Sequence, residues 1–360
     1  MIDSLVARFP WTRAPFIVGA PMRALGGPRL AVAVSSAGGL GFIGPRSTMS
    51  EWPSALKEAE QLVAKVRTEP GSALFGLRPD DHQLPVGIGF QVWADDLVVA
   101  KAVVEAHKPC VVWLFAPRQG QRELDEWSHA VRQASPETDV WIQVGTVTEA
   151  REALGSSQRP NAIVVQGSDA GGHGRAKDGL GITTLLPEIA DLMAQQEQRH
   201  IPLLAAGGIV DARGILSALS LGASGVAMGT RFLASTEANA AKGYQQTILS
   251  ASEAGKSTTR TQLYNHLRGI TTWPEDWSPR AIINQSFRDF HEGVPFEQLK
   301  KLHDDAAKTG DSGGAQGRLG MYAGTGIGLI HDVKDAGVIV KSCREETLKL
   351  LNELSTFFRG

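Results

Sequence analysis

The stretch AIVVQGSDAGGHGR, residues 162–175, carries an imidazole among four glycines directly after an apolar run. Gly167, Gly171, Gly172 and Gly174 remove side chains, so backbone N–H groups can come close to a ligand and φ can turn positive. His173 then projects into whatever the glycines leave open, and an imidazole with an ordinary pKa of about 6.5 suits general-base work near neutrality. A second stretch, PLLAAGGIVDARGILSALSLGASGVAMGTRFL, spans 202–233. Gly207 and Gly208 make a tight turn after one apolar run, Asp211 stands where it can cap a helix, and a second run ends in Met228, Gly229 and Thr230. Two neighbouring run ends, each with glycine and one with a hydroxyl, aim free N–H groups at one point, which is what a phosphate requires.

Such groups need a scaffold that brings run ends together. Eight short apolar runs, at 16–22, 39–44, 84–93, 110–116, 140–146, 162–167, 202–209 and 225–230, alternate with amphipathic helical patterns such as 95–107, 146–156 and 210–223. The alternation predicts an α/β fold, a (β/α)8 TIM barrel whose strands are parallel and buried on both faces. An open doubly wound sheet fits less well, because the first-turn G-x-G-x-x-G with a later acidic residue is absent. After about residue 245 the repeat stops. Residues 246–315, with TTWPEDWSPRA (271–281) and the helix-like PFEQLKKLHDDAAKTG (295–310), read as a mostly helical substrate or lid region following a barrel at 1–245. The loose TGDSGGAQGR (309–318) leads to LGMYAGTGIGLI (319–330), whose glycine density suits a return to the site with Thr325 as a contact. Within 316–360 a final helix at about 342–358 sets Leu348, Leu351, Leu354 and Phe358 at helical spacing, and these are expected to pack on the barrel.

Composition narrows the function. The 360 residues hold 36 basic and 38 acidic side chains with no long run of either sign, so nothing supplies the phosphate-neutralising stripe of a nucleic-acid binder. Cys110 and Cys343 match no metal or redox spacing, and both are expected to be reduced and buried. No run reaches the roughly 18 apolar residues of a membrane span, and no secretory pattern is present, so a soluble cytoplasmic protein is expected. Walker lysine, paired zinc histidine and G-x-S-x-G patterns are missing too, which argues against nucleotide, metal or serine hydrolysis, and no metal is expected.

The blocks GAPM (19–22), VVQGSDAGGHG (164–174), AAGGI (205–209), AMGTRFL (227–233) and YAGTGIG (322–328) together resemble the nitronate monooxygenase family. The resemblance runs from about residue 14 to 235 and again from about 319 to 330. It implies FMN as cofactor, with Gly208, Met228, Gly229 and Thr230 around its phosphate and ribityl chain, and with Gly207 and Gly172 among the cofactor-binding glycines. It sets Ala20, Pro21, Met22, Gln166 and Gly171 near the isoalloxazine and makes His173 the active-site base. Four positions depart from the family pattern. Gly89 stands where many relatives have asparagine, so one polar contact is missing or made by Gln91; Asp169 replaces a common glutamate; and Gly174–Arg175 reverses a frequent order. The implied reaction is oxidation of alkyl nitronates, with nitroalkanes left open as further substrates, by O2 to a carbonyl compound and nitrite. The same blocks are similar to flavin-dependent enoyl-acyl-carrier-protein reductases, which keeps an FMN- and NAD(P)H-dependent enoyl-thioester reductase open as an alternative. A non-catalytic flavin- or phosphate-binding barrel is the third reading.

Overall fold

The computed structural model describes residues 2–77, 83–309 and 314–359. Residues 310–313 of the 309–318 linker lie outside them. Each of the eight apolar runs yields one barrel strand: β1 (Phe16–Gly19), β2 (Leu40–Ile43), β3 (Leu84–Gln91), β4 (Pro109–Phe115), β5 (Asp139–Val144), β6 (Ala162–Gln166), β8 (Leu203–Ala206) and β9 (Gly225–Met228). The strands are parallel and close in that order, with Phe16 opposite Gly225 and Gly19 opposite Met228 at the seam. A further strand, β7 (Gly172–Arg175), stays outside the barrel.

Residue alternation explains the two core layers. In β1, Phe16 and Val18 point inward with Phe42, Trp113 and Trp141, while Ile17 joins the outer layer of strand and helix side chains that includes Leu30 and Val34. Phe42 meets Trp113 edge-on at 5.3 Å between centroids and lies 5.4 Å from Trp141. Rings of that size fit because the neighbouring strand gives way: a Cβ on Gly87 would sit 2.3 Å from the Phe42 ring. Helix starts follow local chemistry. The Asp211 carboxylate accepts from the N–H groups of Arg213 and Gly214, as its position predicted, and Thr146 with Glu149 forms a capping box.

One expectation is extended and another is corrected. The region after residue 245 does contain helices, among them Leu263–Leu267, Gln285–His291 and Phe296–Thr309, but it also yields β10 (Thr258–Arg260) and β11 (Trp277–Ile282). These form an antiparallel sheet in the order β10-β11-β7, with Pro279 opposite His173. The His173 segment is therefore a strand, not a bare loop. Neither strand was legible locally, since GHGR lacks strand-forming side chains and β11 carries a proline in the central position of its sheet. Pairing between distant segments supplies what propensity does not.

The correction concerns the last helix, Ala336–Arg359. Its first half is buried, with Ala336, Ile339, Val340 and Cys343 in the outer core and the Arg344 guanidinium donating to the carbonyls of Ala37 and Gly38 at 3.2 and 2.8 Å. Leu348, Leu351, Leu354 and Phe358 are 47, 49, 41 and 81% exposed, so the stripe does not pack on the barrel. A helix of 24 residues is about 36 Å long and overruns the nine-residue helices Pro28–Ser36 and Ala212–Ser220 on which it rests. Both cysteines are buried and free. Among the described residues no helix is long and apolar enough to cross a membrane.

The barrel interior generates a stability prediction. Gly87→Ala should lower unfolding free energy by about 1–3 kcal/mol through overpacking. Urea denaturation reads this directly, and adding Phe42→Leu should restore part of the loss; an unchanged midpoint in the single variant would refute the packing account.

Candidate active site

A cavity of about 310 Å³ opens at the C-terminal ends of the barrel strands. Its inner wall is polar where the core ends. The Trp113 indole N–H donates to Gln143 Oε1 at 3.1 Å, which leaves the buried Gln143 Nε2 beside the cavity without a partner among the described residues. Arg23 donates to Gln91 Oε1 at 2.9 Å, and the Gln91 N–H donates to the Asp95 carboxylate at 2.7 Å. Burial pushes the Asp95 pKa up to about 6, against the opposing effects of that N–H and of Arg23.

Most residues singled out in the sequence meet here. Ala20, Pro21, Met22, Gln166, Gly171, Gly172, His173, Gly207, Gly208, Gly229 and Thr230 all line the cavity. Gly207 and Gly208 have φ of 111° and 74°, which glycine adopts without strain. Met228 does not line it: as the last residue of β9 its side chain belongs to the outer core, and its carbonyl accepts from the Ala20 N–H at 3.0 Å. Thr325 stands behind the wall, its N–H donating to the Asp169 carbonyl at 2.9 Å. Its neighbours Tyr322, Gly324 and Gly326 line the cavity, and the Gly324 N–H donates to the Thr230 hydroxyl at 3.0 Å. The 319–330 segment thus returns to the barrel mouth. It does so closely enough that a Cβ on Gly171 would lie 2.5 Å from Gly324 N.

Side chains from the second region complete the surroundings of His173. Its ring stacks on Trp273 at 3.5 Å between centroids and 7° between planes, and Tyr322 meets it edge-on at 5.5 Å. Asn265 Nδ2 lies 3.0 Å from His173 Nε2. Burial, followed by the positive charge of Arg268, pushes the imidazole pKa down to about 3, with Arg260 and Arg23 acting in the same direction. The ring is therefore neutral at physiological pH, and a far weaker base than its residue type suggests.

The carbonyls of the His173 segment are tied down from the outer side. Arg260 donates to the carbonyls of Ser168, Ala170 and Gly172 at 3.0, 3.3 and 3.4 Å and also to that of Ser278, while Arg280 donates to Ser168 at 3.1 Å. Asn265, Arg268, Trp273 and the two anchoring arginines were not identified from sequence. The tryptophan-rich 271–281 stretch was the available signal for Trp273, and the lone amide in the apolar run VWIQVGT was the one for Gln143.

The depressed imidazole pKa has a measurable consequence. Between about 3 and 6.5 the unfolded chain binds a proton that the folded ring refuses, so the contribution of His173 to stability is fully present above about 6.5 and is lost as pH falls. A His173→Gln protein should gain stability relative to the parent as pH drops from 7 to 4, measured by denaturant unfolding at each pH. Parallel pH dependences would sink the assignment.

Comparison with known proteins agrees with this geometry. A family model described as nitronate monooxygenase matches residues 122–346. The chain is 51% identical to a nitronate monooxygenase, npaC, of Metarhizium robertsii over 98% of its own length and 96% of that protein's. It is 34% identical to a nitronate monooxygenase of Neurospora crassa, covering 99% and 95%. Among solved structures, FabK from Thermotoga maritima (TM-score 0.70, 22% identity, 98% of each chain) and a nitroalkane oxidase from Streptomyces ansochromogenes (TM-score 0.70, 23% identity, 98% and 99%) share the fold. A barrel with its cavity at the strand C-termini, a family match over most of the chain and near-complete alignment with two such relatives lead to one conclusion: the chain belongs to the nitronate monooxygenase family of oxidoreductases.

Proposed function

We propose that the cavity holds FMN and that the chain oxidises alkyl nitronates with O2 to a carbonyl compound and nitrite. The observation that carries this reading is the convergence on one cavity of two glycine-bearing strand ends, an unpartnered buried amide and an imidazole. The residues fit the cofactor. Gly207, Gly208, Gly229 and Thr230 bring main chain to the ends of β8 and β9, where barrel folds hold phosphate, and Gln143 Nε2 offers a donor to the acceptor edge of a planar ring. FMN, when bound, would supply the electron transfer between substrate and O2.

The chain's own residues do the rest. Arg268, exposed at the mouth, and Arg23 give the cavity a positive potential that draws in a small anion. Trp273 and Tyr322 place aromatic surface around His173 and keep water from the reacting end. The region that contributes Asn265, Arg268 and Trp273 is the substrate-side wall. Partners in this reading are small molecules, the nitronate and O2, met in the cytoplasm.

Purified protein should carry a flavin that heat releases with the mass of FMN. Gly208→Leu should lose it, because that position has a left-handed φ and a Cβ there already lies 3.2 Å from the Asp169 side chain. Anaerobic nitronate should bleach the flavin of the parent while NADPH alone should not. Release of FAD, full loading of Gly208→Leu, or bleaching by NADPH in place of nitronate would each count against the proposal.

A further inference from the structure

The polarity of the hydrogen bonds around His173 can be followed from a fixed end. The Trp277 carbonyl can only accept, so the Gln262 atom 2.6 Å from it is the amide nitrogen. Gln262 Oε1 is then the free end and must accept, which makes the Asn265 atom 2.8 Å away its Nδ2. One hydrogen of that NH2 is directed to Gln262 and the other to His173 Nε2 at 3.0 Å. The Asn265 Oδ1 left over accepts from the Tyr322 hydroxyl at 3.4 Å, so every atom of the amide has a role that agrees with this orientation. Asn265 is 1% exposed, and water cannot substitute for any partner.

We propose that this relay, from the Trp277 carbonyl through Gln262 and Asn265, fixes His173 as its Nδ1–H tautomer, so that the ring donates a hydrogen bond to an already ionised nitronate instead of taking a proton from a neutral nitroalkane. Nε2 accepts from Asn265, hence the single ring proton of the neutral imidazole resides on Nδ1. Nδ1 has no protein partner among the described residues, and the ring lines the cavity. The Trp273 stack holds the ring plane, while the relay selects which nitrogen carries the proton. Arg268, Arg260 and Arg23 surround the ring with positive charge, which disfavours the imidazolium that proton abstraction would create. A nitronate brings its negative charge with it and has already lost the acidic proton that a base would have to remove. Asn265 and Gln262 are positioning residues, and His173 is the group that touches substrate. The identity of the acceptor rests on the function proposed above; the tautomer does not.

Nitrogen NMR of histidine-labelled holoenzyme, with the His173 signals assigned by their loss in His173→Gln, should show a protonated Nδ1 and an unprotonated Nε2 at neutral pH. A protonated Nε2 overturns the proposal whatever the enzyme turns over. Asn265→Asp is nearly isosteric but acceptor-only. It should reverse the tautomer, lower kcat/KM for a primary alkyl nitronate about a hundredfold, as expected for one lost donor to a developing or resident anion, and raise neutral nitroalkane turnover relative to nitronate. Gln262→Met removes the Oε1 acceptor without adding charge, so it should give a mixed tautomer and a smaller loss, and it keeps the test open if the buried aspartate prevents folding. Unchanged tautomer and unchanged nitronate kcat/KM in the folded variants overturn the relay. A protonated Nδ1 in a parent enzyme that leaves nitronates untouched overturns the donor role together with the nitronate reading, and leaves the relay standing.

Discussion

One guanidinium holds the mouth of the barrel together. Arg260, on β10, reaches across β11 to bind carbonyls at Ser168, Ala170, Gly172 and Ser278, so it joins the segment after β6 to the strand that pairs with β7. Partial burial costs such a cation free energy, and the cost is visible in a pKa pushed down to about 10, chiefly by desolvation and then by the neighbouring Arg280. Asp169 acts in the opposite direction and the carbonyl oxygens satisfy the N–H groups, so the charge persists at neutral pH. What results is a glycine-rich segment with little conformational freedom despite its composition. His173 owes its place over the barrel to this arrangement more than to anything in its own four-residue strand.

The scaffold was legible because parallel strands buried on both faces leave an unmistakable apolar signature, and β4 or β6 can be read from CVVWLFA or AIVVQG alone. Glycine turns at 207–208 were legible for a related reason, since the backbone there adopts φ values that other residues avoid. The surroundings of His173 were not. Asn265 sits on a five-residue helix and Trp273 on an irregular segment, and no periodicity in either predicts a partner in β7. Pro279 actively misleads, because a proline argues against the central strand it occupies. The leucine stripe at 348–358 fails differently: spacing identifies a face of a helix but says nothing about whether another element is long enough to cover it.

Two amides inside the cavity wall follow the same logic at different depths. Trp113 has only a donor to offer, so Gln143 must turn its oxygen toward the indole and its nitrogen toward the opening. The Trp277 carbonyl has only acceptor capacity, and it orients Gln262 and then Asn265 in turn. In both cases a group that cannot change its polarity dictates the orientation of a flexible amide, which faces the opening directly at Gln143 and acts through His173 at Asn265.

The order of segments along the chain has a consequence for biosynthesis. All eight barrel strands lie before residue 229, whereas the partner of β7 is not made until residues 277–282 and the returning wall not until 319–330. On the ribosome the barrel strands are therefore made before the mouth, and the helix Ala336–Arg359, whose first half joins the outer core, is made last of all. Premature termination after the barrel strands would therefore remove both the mouth and part of the outer core, so a truncated chain would lose its covering of the helix Pro28–Ser36 together with its chemistry.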